Sequence, residues 1–190
     1  TISVYAYNSS DTTKASTIDL YSGLAPIADF LLPTDMCSGE VVDFIDQSTD
    51  ALSWDWDFGD SGAGSNQQNP SYVYNSGGSY NVSLVVYNGA CVDSVTKTLN
   101  IFESPVLQIQ YDDSCARDSI AFSFVSNGGA PISNIVWDFG DTPDIGDSAF
   151  VTAPSYYYND EGQYSVILEV EDDNGCQGLA FLNLNVYSID

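Results

Sequence analysis

The run Trp54-Asp55-Trp56-Asp57-Phe58-Gly59-Asp60 alternates large aromatic side chains with carboxylates and then meets a Gly-Asp pair. A β-strand sends successive side chains to opposite faces. The alternation therefore predicts a half-buried strand, with Trp54, Trp56 and Phe58 inward and Asp55 and Asp57 in water. Gly59 and Asp60 read as the start of a turn. The pattern returns 81 residues later as Trp137-Asp138-Phe139-Gly140-Asp141, with Ile135 in the place of Trp54.

The repetition extends outward from this strand. Pro70-Ser71-Tyr72-Val73-Tyr74-Asn75 returns as Pro154-Ser155-Tyr156-Tyr157-Tyr158-Asn159. Gly78-Ser79-Tyr80-Asn81-Val82-Ser83-Leu84-Val85-Val86 returns as Gly162-Gln163-Tyr164-Ser165-Val166-Ile167-Leu168-Glu169-Val170. Tyr80, Val82, Leu84 and Val86 share one face, which predicts a core strand after a glycine turn. Each copy closes on a strand, Thr98–Phe102 in the first and Asn183–Tyr187 in the second. Thr1–Asn8 and Thr17–Tyr21 match the last two strands of such a copy. The expected organisation is residues 1–23 as the last two strands of a preceding repeat, then repeats at 24–104 and 105–190. Two strands cannot bury a core, so residues 1–23 are expected to continue a longer chain or to complete a neighbour's sheet. Linkers fall at Gly23–Pro26 and Glu103–Pro105, short and Pro-bearing, so adjoining modules should be tilted without being freely jointed.

Composition supports an all-β chain. Tyr, Val, Ser, Thr, Asn, Asp and Gly dominate, and helix formers are scarce. There are 27 acidic and 3 basic residues, a formal net charge of −24. Phosphate contacts need Lys and Arg, so nucleic acid is not an expected partner. An anionic membrane surface would repel the chain, and no transmembrane run or signal segment is visible. The chain has no His. That removes the usual zinc sites and the Ser–His and Cys–His nucleophile pairs. The acidic residues alternate along strand faces, as solvated surfaces do, and no nucleophile, base and oxyanion set can be assembled. A non-catalytic protein is expected.

Both full repeats carry, in order, a Trp-Asp-Phe-Gly-Asp strand and turn, a Pro-x-x-x-Tyr element and Gly-x-Tyr-x-Val-x-Leu-x-Val. These motifs resemble the PKD (polycystic kidney disease) domain family. The resemblance covers about residues 25–190 and implies tandem Ig-like β-sandwiches of about 80 residues each. The cysteine placement resembles PKD repeats of large surface and secreted proteins of Bacteroidetes-type bacteria. Ser61 and Thr142 stand where the family usually has Gly, and the turn Asp141–Asp147 differs from its counterpart, which weakens any ligand site shared by the two turns.

Cys37 and Cys115 precede the second strand of each repeat, and Cys91 and Cys176 follow the sixth. An even count in an exported protein reads as disulfides. Two connectivities stand. Repeat symmetry gives Cys37–Cys91 and Cys115–Cys176. Strand parity separates the first and sixth turns of one sandwich by about 20 Å, beyond the ~7 Å Cα limit of a bridge. It pairs Cys37 with Cys176 across the junction and leaves Cys91 and Cys115 to repeats outside this segment.

Other candidates are less specific. Asp141, Asp144 and Asp147, with the Asp112-Asp113 and Asp172-Asp173 pairs, offer hard oxygen ligands for structural Ca²⁺, although none forms an EF-hand loop. Otherwise no cofactor is expected, and Asp60 and Asp141 read first as turn formers accepting backbone N–H bonds. Ser94, Ser119 and Ser148 lie in Asp-Ser-apolar triplets that resemble an O-glycosylation site of Bacteroidetes exported proteins. Strand alternation must expose at least one ring of Tyr156, Tyr157 and Tyr158, so this run is the candidate contact surface. The leading expectation is a structural and adhesive spacer in a long extracellular surface fibre or giant adhesin, whose partners are neighbouring repeats, glycans or surface proteins. The alternatives are an accessory polysaccharide- or protein-binding module of a secreted hydrolase, and self-assembly by strand donation.

Overall fold

The computed structural model describes residues 24–34, 36–112, 119–141 and 147–187. The expectations for residues 1–23, Asp113, Cys115 and Asp144 lie outside them. Regular structure among the described residues is strand, with no α-helix.

The first repeat contains β1 (Phe30–Leu31), β2 (Met36–Cys37), β3 (Val41–Asp43), β4 (Ile45–Asp46), β5 (Ser53–Asp57), β6 (Gly64–Ser65), β7 (Ser71–Val73), β8 (Gly78–Asn88) and β9 (Cys91–Phe102). One sheet has the order β2-β9-β8-β5-β6, and β1-β4 and β3-β7 pair separately. The quoted aromatic strand is β5, antiparallel to β8 with Trp54 opposite Val86 and Trp56 opposite Leu84. β2 joins the end of β9 in parallel, Met36 opposite Ile101 and Cys37 opposite Phe102.

The second repeat contains β10 (Val106–Tyr111), β11 (Ser119–Asn127), β12 (Ile132–Asp138), β13 (Ser148–Ala149), β14 (Ser155–Tyr157), β15 (Gly162–Asp172) and β16 (Gln177–Val186). Its sheets are β10-β11-β14 and β13-β12-β15-β16. β3 and β4 together occupy the sequence place of β11, interrupted at Phe44. Phe44 donates its N–H to Pro70 O as Phe122 does to Pro154 O.

The period-two reading of the core holds in both copies. Trp56 and Phe58 are buried, as are Val82, Leu84 and Val86. Phe30 and Phe44 pack against the Trp56 ring at centroid distances of 5.0 and 5.6 Å. Trp54 is half-buried, its indole N–H donating to Asp46 Oδ2 at 2.8 Å. In the second copy Phe122, Trp137, Phe139, Tyr158, Val166, Leu168 and Leu184 form one apolar cluster. Each fully buried side chain of this kind contributes about 1.5–3 kcal/mol. The one ion pair among the described residues, Lys97 to Asp29 at 2.7 Å, is exposed enough for solvent to screen it. Burial therefore outweighs the charge pair in holding these sandwiches.

Gly59 and Gly140 explain why the aromatic strand ends on glycine. Their φ angles are +72° and +67°. A Cβ would lie 2.6 Å from Asn81 O and 2.4 Å from Ser165 O, on the neighbouring β8 and β15 backbones. In these turns Asp57 accepts the Gly59 N–H and Asp138 accepts the Gly140 N–H. This shifts the expected turn role away from the Asp141 side chain, which instead accepts the Tyr156 hydroxyl at 2.9 Å. In both turns the accepting side chain stands two residues before the glycine amide.

The described residues fall into two compact units. The first comprises 24–32, 43–71 and 81–98; the second comprises 33–42, 72–80 and 99–187. The second unit thus takes in one pole of the first repeat, including β2, together with the linker and the second repeat.

Candidate functional site

The second unit contains a disulfide between Cys37 and Cys176, with Cα atoms 5.6 Å apart. It is the connectivity that strand parity favours. β2 sits beside the last residues of β9, which carries Cys37 to the pole from which the linker leaves. Cys176 lies in the turn between β15 and β16. The bond closes a sequence separation of 139 residues. Chain-entropy treatment of so long a loop gives about 5 kcal/mol of stabilisation.

Both ends of the bond are held by carboxylates. Glu40 Oε2 accepts the Cys37 N–H at 3.0 Å. Asp172 is buried and accepts three backbone N–H groups, from Ala130, Asn174 and Cys176, each at 2.9 Å. Burial pushes the Asp172 pKa up, but the bonds from Ala130, Cys176 and Asn174 outweigh it and hold the group below the usual carboxylate value. Asp172 and Asp173 are among the calcium candidates of the sequence. The structure commits the Asp172 oxygens to backbone amides.

The linker is gripped on several sides within the same unit. Ser104 donates its N–H to Ser38 Oγ and its hydroxyl to Ser38 O, both at 2.9 Å. Ser38 N–H donates to Phe102 O, and Gly77 N–H to Glu103 Oε2. Gly178 meets the linker without a side chain; a Cβ there would lie 2.7 Å from Pro105 O. Hydrogen bonds and close approach replace the freedom that a short polar linker otherwise keeps.

The remaining predicted residues are dispersed. Asp147 is buried and accepts the Asp141 N–H through Oδ2 at 3.1 Å. No group of three or more acidic or thiol side chains capable of holding a metal occurs among the described residues. Ser94 and Ser119 are exposed, and Ser148 is half-buried in β13. The tyrosine run needs correction. Tyr158 is fully buried and donates its hydroxyl to Phe139 O at 2.9 Å. Tyr156 is half-buried against Phe139. Burial first, and then the bond to Asp141, push its pKa to about 12. Tyr157 alone is exposed, because its neighbours take the inward parity.

A shallow cavity of about 220 Å³ lies on the sheet of the second repeat, lined by Asn134, Val136, Glu169, Glu171, Gln177 and Leu179. Phe181, two residues on from Leu179 in β16 and opposite Ile167, is also exposed. The first repeat has Ser94 and Thr96 at the places of Leu179 and Phe181, so this apolar strip is confined to one copy.

Two successive copies of one antiparallel sandwich, each with an aromatic strand closed by a glycine turn, define a tandem Ig-like all-β protein. The PKD domain family matches residues 24–103 and 102–186. The chain belongs to the PKD domain family. It is similar to the PKD1 domain of the Vibrio cholerae metalloprotease PrtV, at 27% identity over 44% of this chain and 98% of that one, with a TM-score of 0.39. It is similar to the PKD1 domain of Vibrio anguillarum Epp, at 33% identity over 42% and 95%, with a TM-score of 0.36. A β-sandwich carbohydrate-binding module matches at 18% identity over 88% and 94%, with a TM-score of 0.40. No helix among the described residues is long and apolar enough to cross a membrane.

Proposed function

We propose that the chain is a non-catalytic spacer of an extracellular surface fibre or adhesin, built to hold successive repeats in a fixed relation. The observation that carries this reading is the Cys37–Cys176 disulfide. It ties a cysteine of the 24–103 match to one of the 102–186 match, beside a linker already held by Ser38, Gly77 and Gly178. A disulfide persists in an oxidising compartment, which supports export. The high negative charge keeps such a chain soluble and self-avoiding.

Small-angle scattering of the wild-type chain and of Cys37→Ser/Cys176→Ser tests it. The wild type should give a narrow distance distribution, and the variant a larger, broader one. Identical curves would remove the staple from the account.

A second reading, a polysaccharide-contacting module, is favoured by the exposed Leu179 and Phe181 beside the β12-β15-β16 cavity. Apolar side chains with nearby Asn, Gln and Glu are the chemistry that a sugar face needs. Retention on a glycan array, lost in Phe181→Ser, would support it.

A further inference from the structure

We propose that Cys91 is the receiving half of a second inter-repeat disulfide, taking a cysteine at the Cys37 place of another copy of the repeat. The inference deepens the spacer reading and rests on it. Cys91 is an exposed free thiol. It opens β9 after the two-residue loop Gly89-Ala90, in the hairpin that corresponds to the β15–β16 hairpin carrying Cys176. Cys176, its equivalent 85 residues on, is already bonded to Cys37. One copy of the hairpin is therefore occupied, and the other presents the same group unbonded.

The surroundings match that role. The Asn88 side chain donates to Leu24 O at 3.2 Å, so the Cys91 hairpin sits beside the segment that enters the first repeat. The Cys176 hairpin has the same relation to its own entering segment through Gly178 and Pro105. Leu52 N–H donates to Tyr87 O at this same end of β8. Leu24, Leu52, Tyr87 and Val92 are exposed at this end of the repeat. The occupant that fits is the β2 pole of another copy, since that is what meets the equivalent hairpin in the second unit.

The bond forms by oxidation of two thiols. Cys91 as thiolate displaces one sulfur of a mixed disulfide that a small-molecule disulfide oxidant has made on the partner cysteine. One S–S bond forms between the proteins, and the oxidant leaves as two thiols carrying the two protons and two electrons.

The test uses the full chain in a glutathione redox buffer, where a second molecule supplies Cys115, the residue at the Cys37 place in sequence. Disulfide-linked multimers are expected on non-reducing gels. They should vanish in Cys91→Ser and persist in Cys37→Ser/Cys176→Ser, and peptide mapping should join Cys91 to Cys115 of a second chain. Cys91 recovered as free thiol, as a glutathione adduct only, or bridged to Cys91 of another chain would each overturn the proposal. Any of those with Cys37–Cys176 intact would leave the spacer reading standing.

Discussion

The backbone N–H of Cys176 donates to Asp172 Oδ1 at 2.9 Å. The buried Asp172 carboxylate also binds Ala130 and Asn174, so it shapes the hairpin that presents the disulfide sulfur. Asp172→Ala leaves three amides without their acceptor. Hydrogen bonds to charged groups are worth about 1.5–3 kcal/mol each, although such losses do not add fully. Asp172→Ala should lower stability by about 3 kcal/mol in urea unfolding, and Asp173→Ala by less than about 0.5 kcal/mol.

The same group sets an acid limit. Asp172, Asp46 and Asp29 all titrate below their ordinary value in the folded chain. For Asp46, burial opposes and bonds from Ser48, Gln68 and Trp54 prevail; for Asp29 the leading cause is the Lys97 hydrogen bond. A depressed folded pKa means that the unfolded chain binds more protons. The stabilisation is therefore full above the unfolded carboxylate pKa of about 3.9 and is lost as pH falls through the lower folded values. Thermal unfolding should be flat from pH 7 to 5 and fall steeply below about pH 4. Asp172→Asn should flatten that fall.

Gly59 and Gly140 should be the least replaceable glycines. Alanine there adds a backbone clash to a left-handed φ. Gly59→Ala or Gly140→Ala should cost about 3 kcal/mol. Gly89→Ala, also at positive φ but with nothing within 4 Å of its Cβ, should cost only about 1–2 kcal/mol. Equal costs at the three positions would show that φ alone governs.

The tyrosine run separates core from surface. Tyr158→Phe removes a buried hydroxyl bonded to Phe139 O and should cost about 1 kcal/mol. Tyr157→Ala should leave unfolding unchanged within about 0.5 kcal/mol, since its ring is exposed.

Much of the fold was legible because period two is a local signal. β5, β8 and their copies could be read from Trp54–Phe58 and Tyr80–Val86 alone. The disulfide was half legible: strand parity named Cys37 and Cys176, while symmetry named other pairs. β2 pairing in parallel with the end of β9 decided between them, and that pairing leaves no mark in the sequence. Asp172 was hidden for a different reason. It is one of 27 acidic residues, and its partner Ala130 is 42 positions away. Nothing local distinguishes it from the exposed Asp173. The tyrosine triplet showed that parity alternates without showing which parity faces in.

The most direct measurement is peptide mapping of the unreduced, thiol-blocked chain after cleavage by trypsin and a Glu-specific protease. Trypsin cuts at Lys14, Lys97 and Arg117, which places Cys37 and Cys91 in 15–97, Cys115 in 98–117 and Cys176 in 118–190. Cleavage after Glu40 then parts Cys37 from Cys91. The expected product joins the Cys37 peptide to the Cys176 peptide. A Cys37–Cys91 peptide together with a Cys115–Cys176 peptide would contradict the account.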